Sequence, residues 1–357
     1  MSQDLSSTVA LLEWMEDDGI SEMISHELTL LGHHPISFKY GGLVPAGVDI
    51  LLSHGPHGKL LPLWQQVAEI PSARRPTVVH WNTEGLPDLR LPPALMWAIA
   101  AWRSRVGRLN QARRSSVRHL VNGPPVSWVD SRMHRFRYVG DYAYAFRKGL
   151  LDVLADSSQI YGRIFGRRGI PTTYVPWGAT PGVYADLGLE RDIDVLWMGK
   201  RGTRRRSSLL NRVRRELESC GAEMYVADNE ENPFIFGETR TRFLNRAKIT
   251  LNITRTWYDD NFSRFALAVP NRSLVVSEPV LPHCPEYKPG IHYVSAPIDR
   301  LAESVAYYLR HDDEREAIVE NAYQLATNEL TFRSSIARLM EAAMNHRVRN
   351  GPPCERA

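Results

Sequence analysis

The sequence predicts an α/β protein built from two Rossmann-like, doubly wound domains facing a cleft. Three observations carry that reading. The chain has 357 residues, a length that suits two domains at roughly 100–200 residues each. Short apolar runs alternate with stretches of helical periodicity in two successive series, the pattern of parallel strands covered on both faces. Between the series lies a segment with Pro181, Gly182 and Gly188, which reads as a linker.

The first series opens with TVALLEW (8–14) as a buried strand. Ile20, Met23, Ile24, Leu28 and Leu31 then recur at helical spacing, and Gly32 stops that helix. The strand HPISFKY, a Gly-rich turn, the apolar run 48–52, a helix over 60–70 and the strand TVVHW (77–81) follow. Arg-rich helical sequence occupies 93–120, and a second helix is expected near 136–148. LDVLAD (151–156) resumes the sheet, Ser157 or Ser158 can cap the next helix, and TTYVPWG ends the series. The second series reads DIDVLWMG strand, 207–219 helix, AEMYVAD strand, 240–247 helix, KITLNIT strand, 263–269 short helix and RSLVVSE strand. Helices are expected at 298–309, 314–328 and 332–346, the last packing back toward the N-terminal domain. The resulting partition is 1–181, 182–346 and a frayed tail at 347–357.

Composition narrows the class. With 43% hydrophobic and 24% charged residues the chain is an ordinary globular protein. The formal net charge of +4 is too small to mark a nucleic-acid or membrane protein. Only six of the 44 basic residues are Lys, and guanidinium groups stay charged and fork onto phosphates. Cys220, Cys284 and Cys354 are widely spaced, without a Cys-x-x-Cys pair, so neither a disulfide framework nor a zinc site is expected. No apolar run approaches about 18 residues, and the N-terminus is acidic where a signal peptide would be basic. A cytoplasmic protein without an integral membrane segment is the expectation.

Several motifs give the chain a family resemblance. HELTLLGHHP (26–35) resembles the first helix of GT-B glycosyltransferases, and 154–184 resembles their passage from the last N-domain strand into the linker. DVLWMGKRGTRRRSSLL (194–210) looks like the opening of their donor domain. The stretch from ITLNITR to the helical DDEREAIVENA is similar to the glycosyltransferase domain of the spore maturation protein (CgeB-like) family. The resemblance implies a metal-independent hexosyltransferase that moves a sugar from a nucleoside-diphosphate sugar to an acceptor hydroxyl, with no cofactor beyond that donor. A nucleotide-sugar epimerase and a non-catalytic assembly or binding protein share the architecture and remain open. One position departs from the family pattern: Phe265 stands where retaining members carry a Glu, leaving Glu278 as the nearest substitute.

The residues themselves say where such chemistry could sit. A strand–loop–helix opening on glycine lets backbone N–H groups reach a phosphate, and the helix dipole favours an anion there. Gly199, Lys200, Gly202, Arg204 and Arg205 occupy such a loop; Lys200 and Arg205 match the family's basic pair. Arg264 opens a short helix after a strand end and is a second diphosphate candidate, or a partner of Asp259 or Asp260. Glu278 could accept from ribose hydroxyls. On the acceptor side an inverting transfer needs a base. His57, within LLSHGPHG, and Glu84, within VVHWNTEGLPD, are the candidates, with His54, His80, Asn82 and Asp88 nearby. Finally, Arg103, Arg105, Arg108, Arg113, Arg114 and Arg118 crowd the segment 103–118. They read either as a solvated helix flank or as a surface for anionic lipid or for a phosphorylated or nucleic-acid acceptor.

Overall fold

Two parallel sheets organise the chain. This computed structural model describes residues 6–14, 19–55, 60–83, 85, 87, 91–111, 124–180, 185–255, 263–282 and 284–350. The chain divides into two compact units, Met1–Val175 with Ile336–Ala357, and Pro176–Ser335.

The first unit holds β1 (Thr8–Glu13), α1 (Gly19–Leu30), β2 (His34–Lys39), β3 (Ile50–His54), α2 (Leu61–Glu69) and β4 (Thr77–Asn82). It continues with α3 (Pro93–Gln111), α4 (Pro124–Arg147), β5 (Val153–Asp156), α5 (Gln159–Gly166) and β6 (Thr172–Tyr174). Its sheet runs β2-β1-β3-β4-β5-β6, every pairing parallel. Strands buried on both faces need continuous apolar sequence, and β3 is buried at every position. β2 lies at the sheet's edge and is mostly exposed, with Phe38 as its buried residue. Trp64, Leu51, Val78 and Tyr142 centre the core.

The second unit repeats the plan. It contains β7 (Ile193–Met198), α6 (Arg204–Ser219), β8 (Met224–Ala227), α7 (Gly237–Arg246), β9 (Ala247–Asn252), α8 (Ser263–Ala268), β10 (Leu274–Ser277) and β11 (Val294–Ser295). Helices α9 (Leu301–Arg310) and α10 (Asp312–Gln324) follow, and the last helix, α11 (Phe332–Asn350), begins here. The order β11-β10-β9-β7-β8 is again wholly parallel. In each unit the first strand is flanked by the second on one side and the third on the other. That reversal opens a crevice at the strands' carboxyl ends.

Three expectations change. The helix expected near 136–148 starts at Pro124, where proline's missing N–H costs nothing in a first turn. The helix expected at 207–219 starts at Arg204, because Thr203 adopts extended backbone and its Oγ1 accepts from the Arg206 N–H at 3.2 Å. The tail expected to fray from 347 is helical through Asn350. From Ile336 this helix belongs to the first unit, where the Arg347 guanidinium sits 2.6 Å from the Asp49 carboxylate. The two-residue strand β11 was too short to show in the sequence pattern.

Candidate active site

The second unit gathers its polar residues at the carboxyl edge of its sheet. β7 ends at Met198, and Gly199 follows at φ 118°, a left-handed geometry that glycine adopts without strain. Gly202 follows at φ 70°, and Thr203 then caps α6. The first turn of α6 holds Arg204, Arg205 and Arg206 and no acid. Helix geometry leaves the first N–H groups without intrahelical acceptors and puts partial positive charge there. Arg204 is exposed and adds to that field, whereas Arg206 is buried and donates from Nη1 to the Lys200 carbonyl at 3.0 Å; with no acid in the turn, the helix end favours an anion.

Each of the predicted donor-side residues has a definite place. Lys200 is exposed and makes no ion pair among the described residues. Arg205 donates from Nη1 to the Thr254 carbonyl at 3.0 Å and to Glu278 Oε1 at 3.1 Å, and its Nη2 meets Glu278 Oε2. Glu278 Oε1 also accepts from the Thr254 N–H at 2.6 Å and from Thr254 Oγ1 at 2.8 Å. The carboxylate is 3% exposed, and these bonds are what make its burial tolerable. Thus the residue proposed for ribose and one proposed for phosphate hold each other.

Arg264 is 5% exposed. Its Nε and Nη2 donate to the Met198 carbonyl at 3.2 and 3.0 Å, and Nη1 donates to Asn252 Oδ1 at 2.9 Å. It thereby ties the end of β7 to the end of β9, and a Cβ on Gly199 would stand 3.2 Å from its Nη2. The alternative partners Asp259 and Asp260 lie outside the described residues. Phe265, at the position where a Glu was expected, is fully buried and packs edge-on against Tyr287 and Tyr293, centroids 5.3 and 4.9 Å away. A carboxylate there would be desolvated among rings, so the local core excludes it.

Spacing alone does not single out Arg201. It is buried and donates to Asp228, to Asn211 Oδ1 at 2.6 Å and to Glu231. Burial alone would lower the Arg201 pKa, but Asp228 and Glu231 outweigh it and raise it. Asp228 is held below the usual carboxylate range: two backbone N–H groups and Arg201 overcome its desolvation. This cluster fixes the loop from its underside. Two neighbouring basic residues thus part company, Arg201 inward and Lys200 outward, a split that spacing alone does not reveal.

In the first unit His57 and Glu84, the acceptor-side candidates, lie outside the described residues, as does Asp88. Their neighbours form a buried chain at the carboxyl ends of β3, β4 and β5. Ser53 Oγ and His80 Nδ1 are 3.1 Å apart, and His80 Nε2 and the Tyr142 hydroxyl 3.0 Å. Tyr142 donates to Asn82 Oδ1 at 3.1 Å, and Asn82 Nδ2 donates to Asp156 at 2.7 Å. With the phenol proton given to Asn82, His80 donates from Nε2 to the Tyr142 oxygen, while Ser53 Oγ also donates to the Val79 carbonyl at 3.2 Å, so the ring is a buried structural link. His54 is likewise buried, 2.9 Å from Ser21 Oγ.

The Arg-rich segment divides. Arg103 is buried, which lowers its pKa with help from Arg137. Arg105 is exposed and Arg108 half-buried, while Arg113, Arg114 and Arg118 lie outside the described residues. The expected run along one solvated face therefore does not hold at Arg103.

Residues 204–341 match the family described as Glycosyl transferase-like. No curated protein sequence matches the chain. Among solved structures, sucrose-phosphate synthase from Thermosynechococcus elongatus superposes with a TM-score of 0.58 at 11% identity, over 96% of this chain and all of the other. Anabaena HepE in complex with UDP-glucose gives 0.58 at 10% identity, over 95% and all. A glycosyltransferase from Rickettsia africae gives 0.53 at 11%, over 97% and all. The fold is GT-B. The glycosyltransferase-like sequence begins at the first residue of α6 and lies in the second unit through Ser335. No group of three or more His, Cys, Asp or Glu among the described residues is placed to hold a metal ion. No helix among them is long and apolar enough to cross a membrane.

Proposed function

We propose that the protein is a glycosyltransferase that moves a sugar from a nucleoside-diphosphate sugar to an acceptor hydroxyl. One observation carries this reading: a glycine-opened loop and an all-arginine helix turn, at the reversal point of a parallel sheet, inside the segment with glycosyltransferase-like sequence. UDP-glucose in the Anabaena HepE structure makes a uridine donor the first to try. The closer kinship with the spore maturation protein family, and a cytoplasmic location, are part of the same proposal.

In the reaction the bond between the anomeric carbon and the diphosphate oxygen breaks, and its electron pair leaves with the nucleoside diphosphate. The acceptor oxygen forms the new bond, and its proton passes to a base. Charge therefore grows on the departing phosphate, and the groups aimed at it lower the barrier. Lys200 supplies a flexible charge that can follow this phosphate. The first N–H groups of α6 supply fixed donors, and Gly199 and Gly202 allow close approach. Arg205 contributes its remaining N–H edge, oriented by Glu278. We assign this neutralisation to the cationic groups without a metal ion. Glu84 and His57, shortly after β4 and β3, are proposed for the base.

The test is release of nucleoside diphosphate from a panel of nucleotide sugars, with and without acceptor extracts. Release that depends on acceptor, and that falls on the order of a hundredfold or more in Lys200→Ala, supports the assignment. Turnover of the sugar nucleotide with no acceptor and no nucleotide release would point instead to an epimerase. An unchanged melting temperature with every nucleoside diphosphate would favour a non-catalytic protein.

A further inference from the structure

A second cationic site lies in the first unit, away from the sheet edge described above. A cavity of about 530 Å3 between α3 and α4 is lined by Arg108, Arg147, Lys148 and Arg168, with Trp97 and Tyr144, and by no Asp or Glu among the described residues. Its position follows from the chain path. Arg147 ends α4 and Lys148 leads toward the start of β5, while Arg168 lies between α5 and the start of β6. These residues therefore stand at the amino edge of the sheet, opposite the strand ends that carry His54, Asn82 and Asp156.

Four like charges around one space repel one another, and the lining does little to offset this. Arg147, Lys148 and Arg168 form no ion pair among the described residues. The Arg108 guanidinium lies 3.8 Å from the Tyr144 ring centroid, and that of Arg168 5.3 Å from Trp97. A cation held against a ring is fixed in place yet keeps N–H groups for an anion. Arg108 also donates to Ser104 Oγ at 2.5 Å, and Ser104 donates to Asp141 Oδ1 at 2.5 Å. Asp141 is buried and does not line the cavity, and of the four cations its carboxylate meets the charge of Arg108 alone. The space exceeds a bare phosphate, and Trp97, Ala98 and Ala101 give it an apolar side.

We propose that this cavity binds a phosphate-bearing organic ligand, its phosphate held by Arg108, Arg147, Lys148 and Arg168 and its apolar part against α3. Arginine forks match phosphate oxygens in pairs, and the mixed lining suits a phosphate ester better than an inorganic ion. Two sources share this chemistry, a soluble phosphate ester and a phospholipid head group. Leu95 and Trp102, each 48% exposed on the same helix, are what a lipid surface would engage.

The experiment uses the full chain, with a saturating nucleoside diphosphate present to occupy the other phosphate-binding turn. Glycerol 3-phosphate is titrated by calorimetry, and sedimentation is measured with phosphatidylcholine vesicles with and without phosphatidylglycerol. The variants are Arg147→Glu with Lys148→Glu, Arg168→Gln, and Arg215→Glu in the second unit as a charge control. Binding of glycerol 3-phosphate that weakens on the order of tenfold or more in the first two variants, and not in the control, establishes the site for a soluble ester. Sedimentation with the anionic vesicles alone, with the same variant pattern, establishes it for a lipid head group. Absence of both, binding that survives both cavity variants, or equal loss in the control overturns the proposal. The substituted charges at 147 and 148 are exposed, and Arg168→Gln removes a charge without reversing it, so a folding defect in one variant leaves the other as the test.

Discussion

Lys200 and Arg205 belong to one loop and answer different demands. Lys200 is exposed and available to a ligand, whereas Arg205 spends part of its guanidinium on Glu278 and the Thr254 carbonyl. Lys200→Ala should weaken nucleoside diphosphate binding on the order of tenfold and leave the melting temperature unchanged. Arg205→Ala should weaken binding and also cost about 2 kcal/mol of stability, since it strips a buried carboxylate of its cation while the Thr254 bonds remain. Calorimetric titration together with urea unfolding separates the two. Asp141 offers a pH test at the same scale. Burial pushes its carboxyl up from 3.8 to about 6, against the Ser104 hydrogen bond and the charges of Arg137 and Arg108. The folded state therefore binds the proton more tightly than the unfolded chain, so this group's contribution to stability is complete below pH 4 and is lost as pH rises toward 6. A shift of that size corresponds to about 3 kcal/mol. Asp141→Asn, which keeps an acceptor for Ser104, should flatten the stability profile between pH 4 and 6 in urea unfolding at a series of pH values.

At the level of elements, α3 and α4 pack through two glycines. A Cβ on Gly140 would lie 2.0 Å from the Ala100 carbonyl oxygen, whereas one on Gly107 would lie 2.6 Å from Arg137 Nε. Backbone cannot move aside as a long side chain can. Gly140→Ala should therefore cost about 3 kcal/mol or more, and Gly107→Ala about 1 kcal/mol, an order that urea unfolding can check. Much of the element plan was legible, because strands buried on both faces show as apolar runs and helices show a period. The glycine-opened loop after DIDVLWMG was legible from the apolar run that precedes it. What escaped was decided by contacts distant in sequence. Arg201 turns inward because Asp228, at the end of β8, waits for it; Arg103 is buried by the packing of α3 on α4. The start of α6 depended on the backbone of Thr203, which no periodicity reports. Phe265 was noticed as a departure, but the two tyrosines that explain it come more than twenty residues later in the chain.

For the whole molecule, the near-neutral net charge hides a segregated one. One cationic group surrounds the first turn of α6 in the second unit, and another lines the cavity between α3 and α4 in the first unit. We assign them different phosphates: the first receives the diphosphate that leaves during transfer, and the second holds a phosphate ester that is not consumed. Both units share the same strand reversal, and the arginine-bearing turn lies at the carboxyl edge of one sheet while the cavity lies at the amino edge of the other. Donor binding by the second unit is tested by a crystal structure with a bound nucleoside diphosphate. Phosphate oxygens are expected within about 3 Å of Lys200 Nζ and of the first N–H groups of α6, with Arg205 still paired to Glu278. A diphosphate seated away from residues 199–206, or none bound at saturating concentration, would contradict it.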